Sequence, residues 1–465
     1  GQHGQLLAED LAEFRHRRYL LPRCLRCHRR RARIPARRRR LFLVAASIGI
    51  AKIEEALGAE VETVDRDVAV AIVGAGAGGL ALAAFLAREG IPYVILEAAG
   101  GIRPVPRGEL LQPNGLRVLA ELGVLDALRG LGATVLRTIR FYSRDGRPLG
   151  VLDYRLLDPP YDYALGSRPH RLRQLLLGRL DATAVWWSAR VSGVERDARG
   201  WRVAVQTPEG PRHVRCRVLV AADGARSAVR GLLGIRARLR AYPDAYVVTV
   251  IPRPRGFPDE VWQYQGGGVL LGVIPVAPQE LYLYRYVPAR RLEGIRRSGL
   301  ASLEADLHRM APAWARGVTL PPGADWAALV PCRVDVETWV VDGAALVGDA
   351  AHALNPNAAQ GTNQALEDAR ALAQVLTEAL HSGRVAADIL RRYERARRPT
   401  ATHMQRVGEE SARLWTSGNP LIDRLTERFI DRLSRDPACA RRMLAQVAGL
   451  DPRPLTAWER LRLLL

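Results

Sequence analysis

Lysine is almost missing from this 465-residue chain: of its 69 Lys and Arg residues only Lys52 is lysine. The net charge of +21 therefore reflects an arginine preference spread along the chain, and nearly half of it falls in residues 1–40. There is no aromatic-interleaved basic stripe and no nucleic-acid module to go with it, so nucleic-acid binding is not expected. Cysteine is sparse, at five residues. Cys24-Leu25-Arg26-Cys27-His28 has the spacing of a c-type haem attachment and of half a zinc site. No second such pair follows, and Cys216, Cys332 and Cys439 are scattered, so no metal, no disulfide framework and a cytoplasmic setting are expected. Long hydrophobic runs are absent too. Leu41–Ala51 is too short to span a bilayer. With Arg37–Arg40 before it the run is patterned like an export signal, but no small-residue cleavage site follows. Residues 1–65 read instead as a basic N-terminal extension, disordered or partly helical.

What the chain does have is organised around Ala344–Leu380. A short apolar run ends in Gly348-Asp349, and Asn355-Pro356-Asn357 breaks it. From Gly361, the residues Ala365, Ala369, Leu372, Leu376 and Leu380 recur at helical spacing. A strand, a polar loop and a helix N-terminus leave backbone N–H groups free to face a ligand atom that is, or becomes, negative.

Val68–Glu97 indicates which ligand. A β-branched run leads into Gly74-x-Gly76-x-x-Gly79, then a helical pattern closed by Gly90, then a strand ending in Glu97. Gly74 suits the tight turn, Gly76 the approach of a pyrophosphate, and Gly79 close packing of helix on strand. Glu97 stands where an acid would bond the adenosine ribose hydroxyls. A third stretch, Arg217–Arg230, is another buried strand followed by Asp223-Gly224, with Arg226, Ser227 and Arg230 on the next turn.

Taken in this order and at these distances, the three motifs resemble those of the FAD-dependent class A monooxygenases, the p-hydroxybenzoate hydroxylase-like group. The likeness runs from about Val68 to Leu380 and includes Gly348-Asp349, His352, Pro356, Gln360-Gly361, Asn363 and Glu367-Asp368. Ala359 departs from it, since the family usually has glycine there. The resemblance implies an α/β fold: a Rossmann-like FAD-binding domain, a mixed β-sheet substrate domain and C-terminal helices. It implies FAD as cofactor, with NAD(P)H as reductant and NADPH favoured. O2 would add to the reduced flavin as a C4a-hydroperoxide and pass one oxygen atom to an apolar or aromatic small molecule. An epoxidase or other oxidoreductase of the same fold, and a flavin-binding protein without turnover, remain open alternatives; the Trp-x-Trp-x-x-Ile-Pro motif of halogenases is absent.

Carried over residue by residue, the resemblance makes Gly74, Gly76, Gly79, Glu97, Asp223, Gly224, Gly348, Asp349, Gly361, Thr362 and Asn363 the cofactor-binding candidates. Pro356 and Gly361 would position the flavin and the point of oxygen transfer, with no acid–base side chain assigned. Arg107, before Gly-Glu-Leu-Leu-Gln-Pro, would contact the cofactor. On Ser167–Leu180 the family has Arg-x-x-Leu-x-x-x-Leu; Arg168 is taken as the cofactor candidate, although neither it nor Arg171 keeps that spacing to Leu172. Arg226, able to meet phosphate, is assigned to the flavin pyrophosphate and the passing NAD(P)H. His352 reads as a structural hydrogen-bonding residue rather than a base. No second glycine fingerprint with a following acid appears, so no separate nicotinamide domain is expected.

The cofactor domain is expected over 66–140, 165–235 and 335–385, and the substrate sheet over 140–165 and 236–334. On Leu281–Val287 strict alternation puts Tyr282, Tyr284 and Tyr286 on one face. Tyr264, Tyr284 and Pro356 are the substrate-side candidates, since aromatic faces suit a flat, apolar molecule. Residues 386–465 read as helical, broken at Pro399 and Pro420, and could cap the fold or form a homodimer contact.

Overall fold

The computed structural model describes residues 65–320 and 323–464. The basic extension, with Cys24–His28 and the arginines before Leu41, lies outside the described residues.

The β-branched run becomes the strand Arg66–Val73, paired on both edges, and the side chains of its inner end are buried in the core that covers the sheet faces. It pairs in parallel with Tyr93–Leu96 on one side and Gly210–Ala221 on the other. Parallel pairing continues outward to Val185–Trp186 and to Ala344–Leu346. The resulting eight-stranded sheet also carries an antiparallel flap, Arg190–Asp197 with Gly200–Thr207. Helix Ala77–Arg88 makes the crossover between the first two strands, and the long helix Gly361–His381 lies against it. Their contact is close because Gly78 has no side chain: a Cβ there would stand 3.1 Å from the Cβ of Ala365.

A second sheet of seven strands runs in the order Trp326–Leu329, Asp244–Pro252, Glu280–Pro288, Val269–Ala277, Val261–Gly266, Thr138–Ser143 and Pro148–Asp153. It buries both faces. One carries Tyr282, Tyr284 and Tyr286 toward helices Pro420–Arg435 and Pro437–Val447. The other packs Leu281, Leu283 and Val287 on Leu292–Ser298 and Ala301–Met310. Period-two alternation thus divides the two hydrophobic clusters.

The break expected at Pro399 does not occur. Ala387–Trp415 is one helix of 29 residues with Pro399 inside it, whereas Pro420 does begin a new helix at its first turn. A mid-helix proline removes one backbone hydrogen bond and costs about 3 kcal/mol. Tertiary ties on the same turn oppose that cost. Arg397 bonds Asp368 at 2.8 Å, and Arg398 bonds the carbonyl of Val336 at 3.0 Å. Among the described residues no helix is long and apolar enough to cross a membrane.

Candidate active site

The three glycine- and aspartate-bearing turns meet at the ends of adjacent parallel strands, where a doubly wound sheet places its ligands. Backbone bonds fix their spacing: Gly74 N to Leu96 O at 2.8 Å, Ala222 N to Val73 O at 2.8 Å, and Val347 N to Ala221 O at 2.9 Å. Gly74 has φ +108°, and a Cβ there would lie 2.4 Å from Ala222 O, so both conformation and space require glycine. Glu97 grips the fingerprint turn by accepting from Ala75 N at 2.7 Å and from Ala99 N at 2.8 Å.

The Gly348-Asp349 turn is held from beneath by a fully buried carboxylate. Asp368, on the long helix, accepts from Gly348 N at 3.0 Å, from Arg397 Nε at 2.8 Å and from His352 Nε2. Burial alone would raise the Asp368 carboxyl, but His352 and Arg397 outweigh it and hold it at about 2. His352 is thus engaged in structure, its ring centroid 4.8 Å from that of Trp339 and tilted 34° to it. Asp349 opens onto the cavity described below, walled by protein, and that desolvation raises its carboxyl despite the nearby His352 and Arg107. Arg230, buried under the Asp223-Gly224 turn, bonds Ala350 O at 2.8 Å and Ala225 O at 3.1 Å, tying two motifs together. Ala359 has φ +50°, so alanine stands here in the left-handed conformation that glycine adopts without strain.

A cavity of about 1030 Å³ runs from these turns to the aromatic face of the seven-stranded sheet. At the motif end it is walled by Gly76, Gly79, Gly224, Gly348, Asp349 and Gly361, and by Arg107, Thr362 and Asn363. At the sheet end Pro356, Tyr246, Tyr282 and Tyr284 face Trp415, Phe429 and Leu433 of the C-terminal helices. Gly74, Glu97, Asp223 and Arg226 stand behind or beside this wall rather than on it. Asn363 spends its amide on protein partners, accepting from Gln112 N at 2.9 Å and donating to Ala359 O at 2.8 Å.

Two sequence expectations need correction. Tyr264 lies on the opposite face of the sheet, stacked 4.8 Å from Tyr142 and accepting from Trp314 Nε1 at 3.0 Å. Its neighbour Gln263 faces the cavity, because successive strand residues point to opposite sides. Arg168 is drawn away as well. It caps the start of helix Pro169–Leu177 and donates to Val105 O at 3.0 Å and Glu280 at 3.3 Å. Arg173 takes the place beside the fingerprint, its Nε 2.9 Å from Ala75 O. The signal was present: Arg173, Leu176 and Leu180 satisfy Arg-x-x-Leu-x-x-x-Leu without adjustment. Glu109 is the other site residue the sequence reading passed over. It lines the cavity and accepts from Thr362 Oγ1 at 3.1 Å.

These residues fit an FAD molecule. Cβ atoms added at Gly76, Gly224 or Gly361 would meet nothing within 4 Å, so backbone faces open space where a pyrophosphate and ring system could lie. Asp223 Oδ1 is buried without a partner. The helix beginning at Gly361 presents its N-terminus to the same space. A cofactor domain whose glycine-bearing turns open through one cavity onto the aromatic face of a second sheet has the layout of a flavoprotein.

Comparison with known proteins agrees. Residues 67–407 match the family model described as FAD binding domain, and the chain belongs to that family; it is an FAD-dependent monooxygenase. It is 32% identical over 319 residues to 2-heptyl-3-hydroxy-4(1H)-quinolone synthase of Pseudomonas aeruginosa (strain UCBPP-PA14), covering 66% of this chain and 80% of that one. With 6-methylpretetramide 4-monooxygenase of Streptomyces rimosus identity is 28% over 376 residues, covering 79% and 89%. Among solved structures, P. aeruginosa PqsL in complex with 2-aminobenzoylacetate superposes with a TM-score of 0.69 at 28% identity, over 77% of this chain and 99% of that one. The p-nitrophenol 4-monooxygenase PnpA of Pseudomonas putida DLL-E4 gives 0.74 over 84% and 100%, but at 21% identity the likeness is one of fold alone.

Arg173→Ala is expected to weaken FAD binding ten- to hundredfold. One charge-assisted contact to phosphate is worth about 1.5–3 kcal/mol, and among the guanidinium nitrogens of Arg173 only Nε is bonded to the described residues, at Ala75 O. Arg168→Ala should leave FAD affinity near wild type. Fluorescence titration of apoprotein with FAD measures both, and an equal loss in the two variants would refute the assignment of Arg173.

Proposed function

We propose that this FAD-dependent monooxygenase uses NAD(P)H, with NADPH favoured, and O2 to insert one oxygen atom into a flat, largely apolar aromatic small molecule. The observation that carries this is the continuity of the cavity from the glycine turns to Tyr246, Tyr282 and Tyr284. When bound, FAD supplies the two-electron reduction by nicotinamide and the activation of O2 at its C4a position. The protein supplies placement and field. Gly76 would admit the pyrophosphate, with Gly79 setting the helix close behind it, Asp349 would meet the ribityl chain, and the helix from Gly361 would offer its positive end to charge developing on the flavin. Pro356, at the sheet end of the same cavity, would lie near the point of oxygen transfer. Tyr284 faces this space with its phenol pushed up by burial, so it stays protonated and can donate to a substrate oxygen. A cytoplasmic location and a homodimer belong to the same reading; the sparse cysteines favour the first.

Arg226 is exposed on the Asp223-Gly224 turn, available to a transient nucleotide. In Arg226→Ala, flavin reduction by NADPH should slow ten- to hundredfold, the effect of losing about 1.5–3 kcal/mol, while FAD affinity changes less. Anaerobic stopped-flow measurements on FAD-saturated protein, with NADPH and NADH and with and without aromatic ligands, test this. Aerobic turnover followed by product mass tests the oxygen insertion. A wild type that neither nucleotide reduces under any ligand would sink the nicotinamide half of the proposal.

A further inference from the structure

Glu109 is placed where no acid was expected. It begins the short strand Glu109–Leu111, on the cavity wall beside Gly361 and Thr362. Its Oε2 accepts from Thr362 Oγ1 at 3.1 Å, within the first turn of the long helix. Its Oε1 is shut from solvent and has no protein partner. Arg107 from its own loop and Arg173 from helix Pro169–Leu177 are the cations that face it, with Asp349 and Tyr282 lying beyond Arg107. Burial pushes the Glu109 carboxyl up to about 7, against the pull of Arg107, the Thr362 bond and Arg173.

The first turn of the long helix therefore serves two negative groups. One is the Glu109 carboxylate; the other is the charge a bound flavin gains on reduction. In a walled cavity two like charges sharing one positive helix end repel strongly, and taking up a proton is the cheaper outcome. We propose that Glu109 is the proton acceptor coupled to cofactor reduction: it binds a proton from solvent as the flavin becomes negative, and releases it on reoxidation. This rests on the functional reading above. The balance is simple. Flavin receives two electrons and one proton as a hydride equivalent from the nicotinamide and gains one negative charge; the Glu109 carboxylate gains one proton and loses one. The net charge of the site is unchanged by reduction. The protonated carboxyl then presents an O–H donor, held in place by Thr362, to the same space.

The test is potentiometric titration of the FAD-loaded protein across pH 5.5–9, for wild type and Glu109→Gln. Yellow protein with one FAD per chain must be obtained first, and failure there would count against the flavoprotein reading, not against Glu109. In wild type the midpoint potential should follow one proton per two electrons below about pH 7 and approach two protons per two electrons above it. Glu109→Gln, neutral and nearly isosteric, should follow one proton per two electrons throughout, and Glu109→Asp should restore the steeper limb. The wild-type break is diagnostic even if the variants fold poorly. A wild-type slope of one proton across the range, or identical slopes in wild type and Glu109→Gln, would overturn the proposal. A second readout needs no cofactor. An acid whose folded value is raised binds its proton more tightly when folded, so Glu109 should contribute a fall in apoprotein stability as pH rises from about 4.5 through about 7, and the fall should be smaller in Glu109→Gln by that contribution.

Discussion

Asp368→Ala is expected to destabilise the protein by about 3–5 kcal/mol and to abolish retention of FAD. Removing one member of a buried ion pair leaves its partners charged or unpaired where water cannot reach, which is the costly half of such a deletion. Here three groups lose their acceptor at once: Arg397, His352 and the N–H of Gly348. The last belongs to a cavity-lining turn, so stability and cofactor binding should fail together. Asp368→Asn should fall between, since it keeps the shape but removes the counter-charge bonded to the buried Arg397. The wild-type pH dependence has a defined sign. The Asp368 carboxyl is lower folded than unfolded, so its contribution is full above about pH 4 and is lost as pH falls toward 2. Urea unfolding with FAD absorbance provides the measurement. A variant within about 1 kcal/mol of wild type that still holds its flavin would show that the turn does not depend on this carboxylate.

Two glycines separated by three positions should respond in opposite ways to the same added methyl group. At Gly79 a Cβ would stand 2.1 Å from the carbonyl oxygen of Gly74, and no side-chain rotation can relieve a collision with backbone. Gly79→Ala must push helix Ala77–Arg88 off its strand turn, at roughly 1–3 kcal/mol or more, with FAD binding lost as a consequence. At Gly76 a Cβ would meet no protein atom within 4 Å, and its φ of −70° suits alanine. Gly76→Ala should therefore leave apoprotein stability within about 0.5 kcal/mol of wild type and yet lower FAD affinity at least a hundredfold, because the methyl group enters the space reserved for pyrophosphate. Thermal melts of the apoproteins and FAD titration separate the two cases. A Gly76→Ala protein that binds FAD normally would mean that the cofactor phosphates lie elsewhere.

The sequence by itself determined the parts of this molecule whose constraints are local. Gly74, Gly76 and Gly79 are legible because a tight turn and a phosphate approach admit one residue type at a fixed spacing. Tyr282, Tyr284 and Tyr286 are legible because a strand repeats every two residues; alternation put them on one face, and they are found there. Alternation cannot say which face meets the ligand, and that is why Tyr264 was misplaced. Only the stacking of helices Leu292–Ser298 and Ala301–Met310 against one side and the C-terminal helices against the other makes that choice. Arg168 and Arg173 share a helical segment, and which of them reaches the fingerprint depends on the angle at which that segment docks. The passage of Ala387–Trp415 through Pro399 is decided in the same way, by Arg397 and Arg398 bonding to other elements on the turn where local preference would end the helix. Glu109 is the clearest case. One carboxyl at the start of a three-residue strand is pushed up to about 7 because chain segments remote in sequence wall it in and bring Thr362 to one of its oxygens and nothing to the other. Desolvation and long-range charge are properties of the packed molecule, and no spacing of residues along the chain encodes them directly.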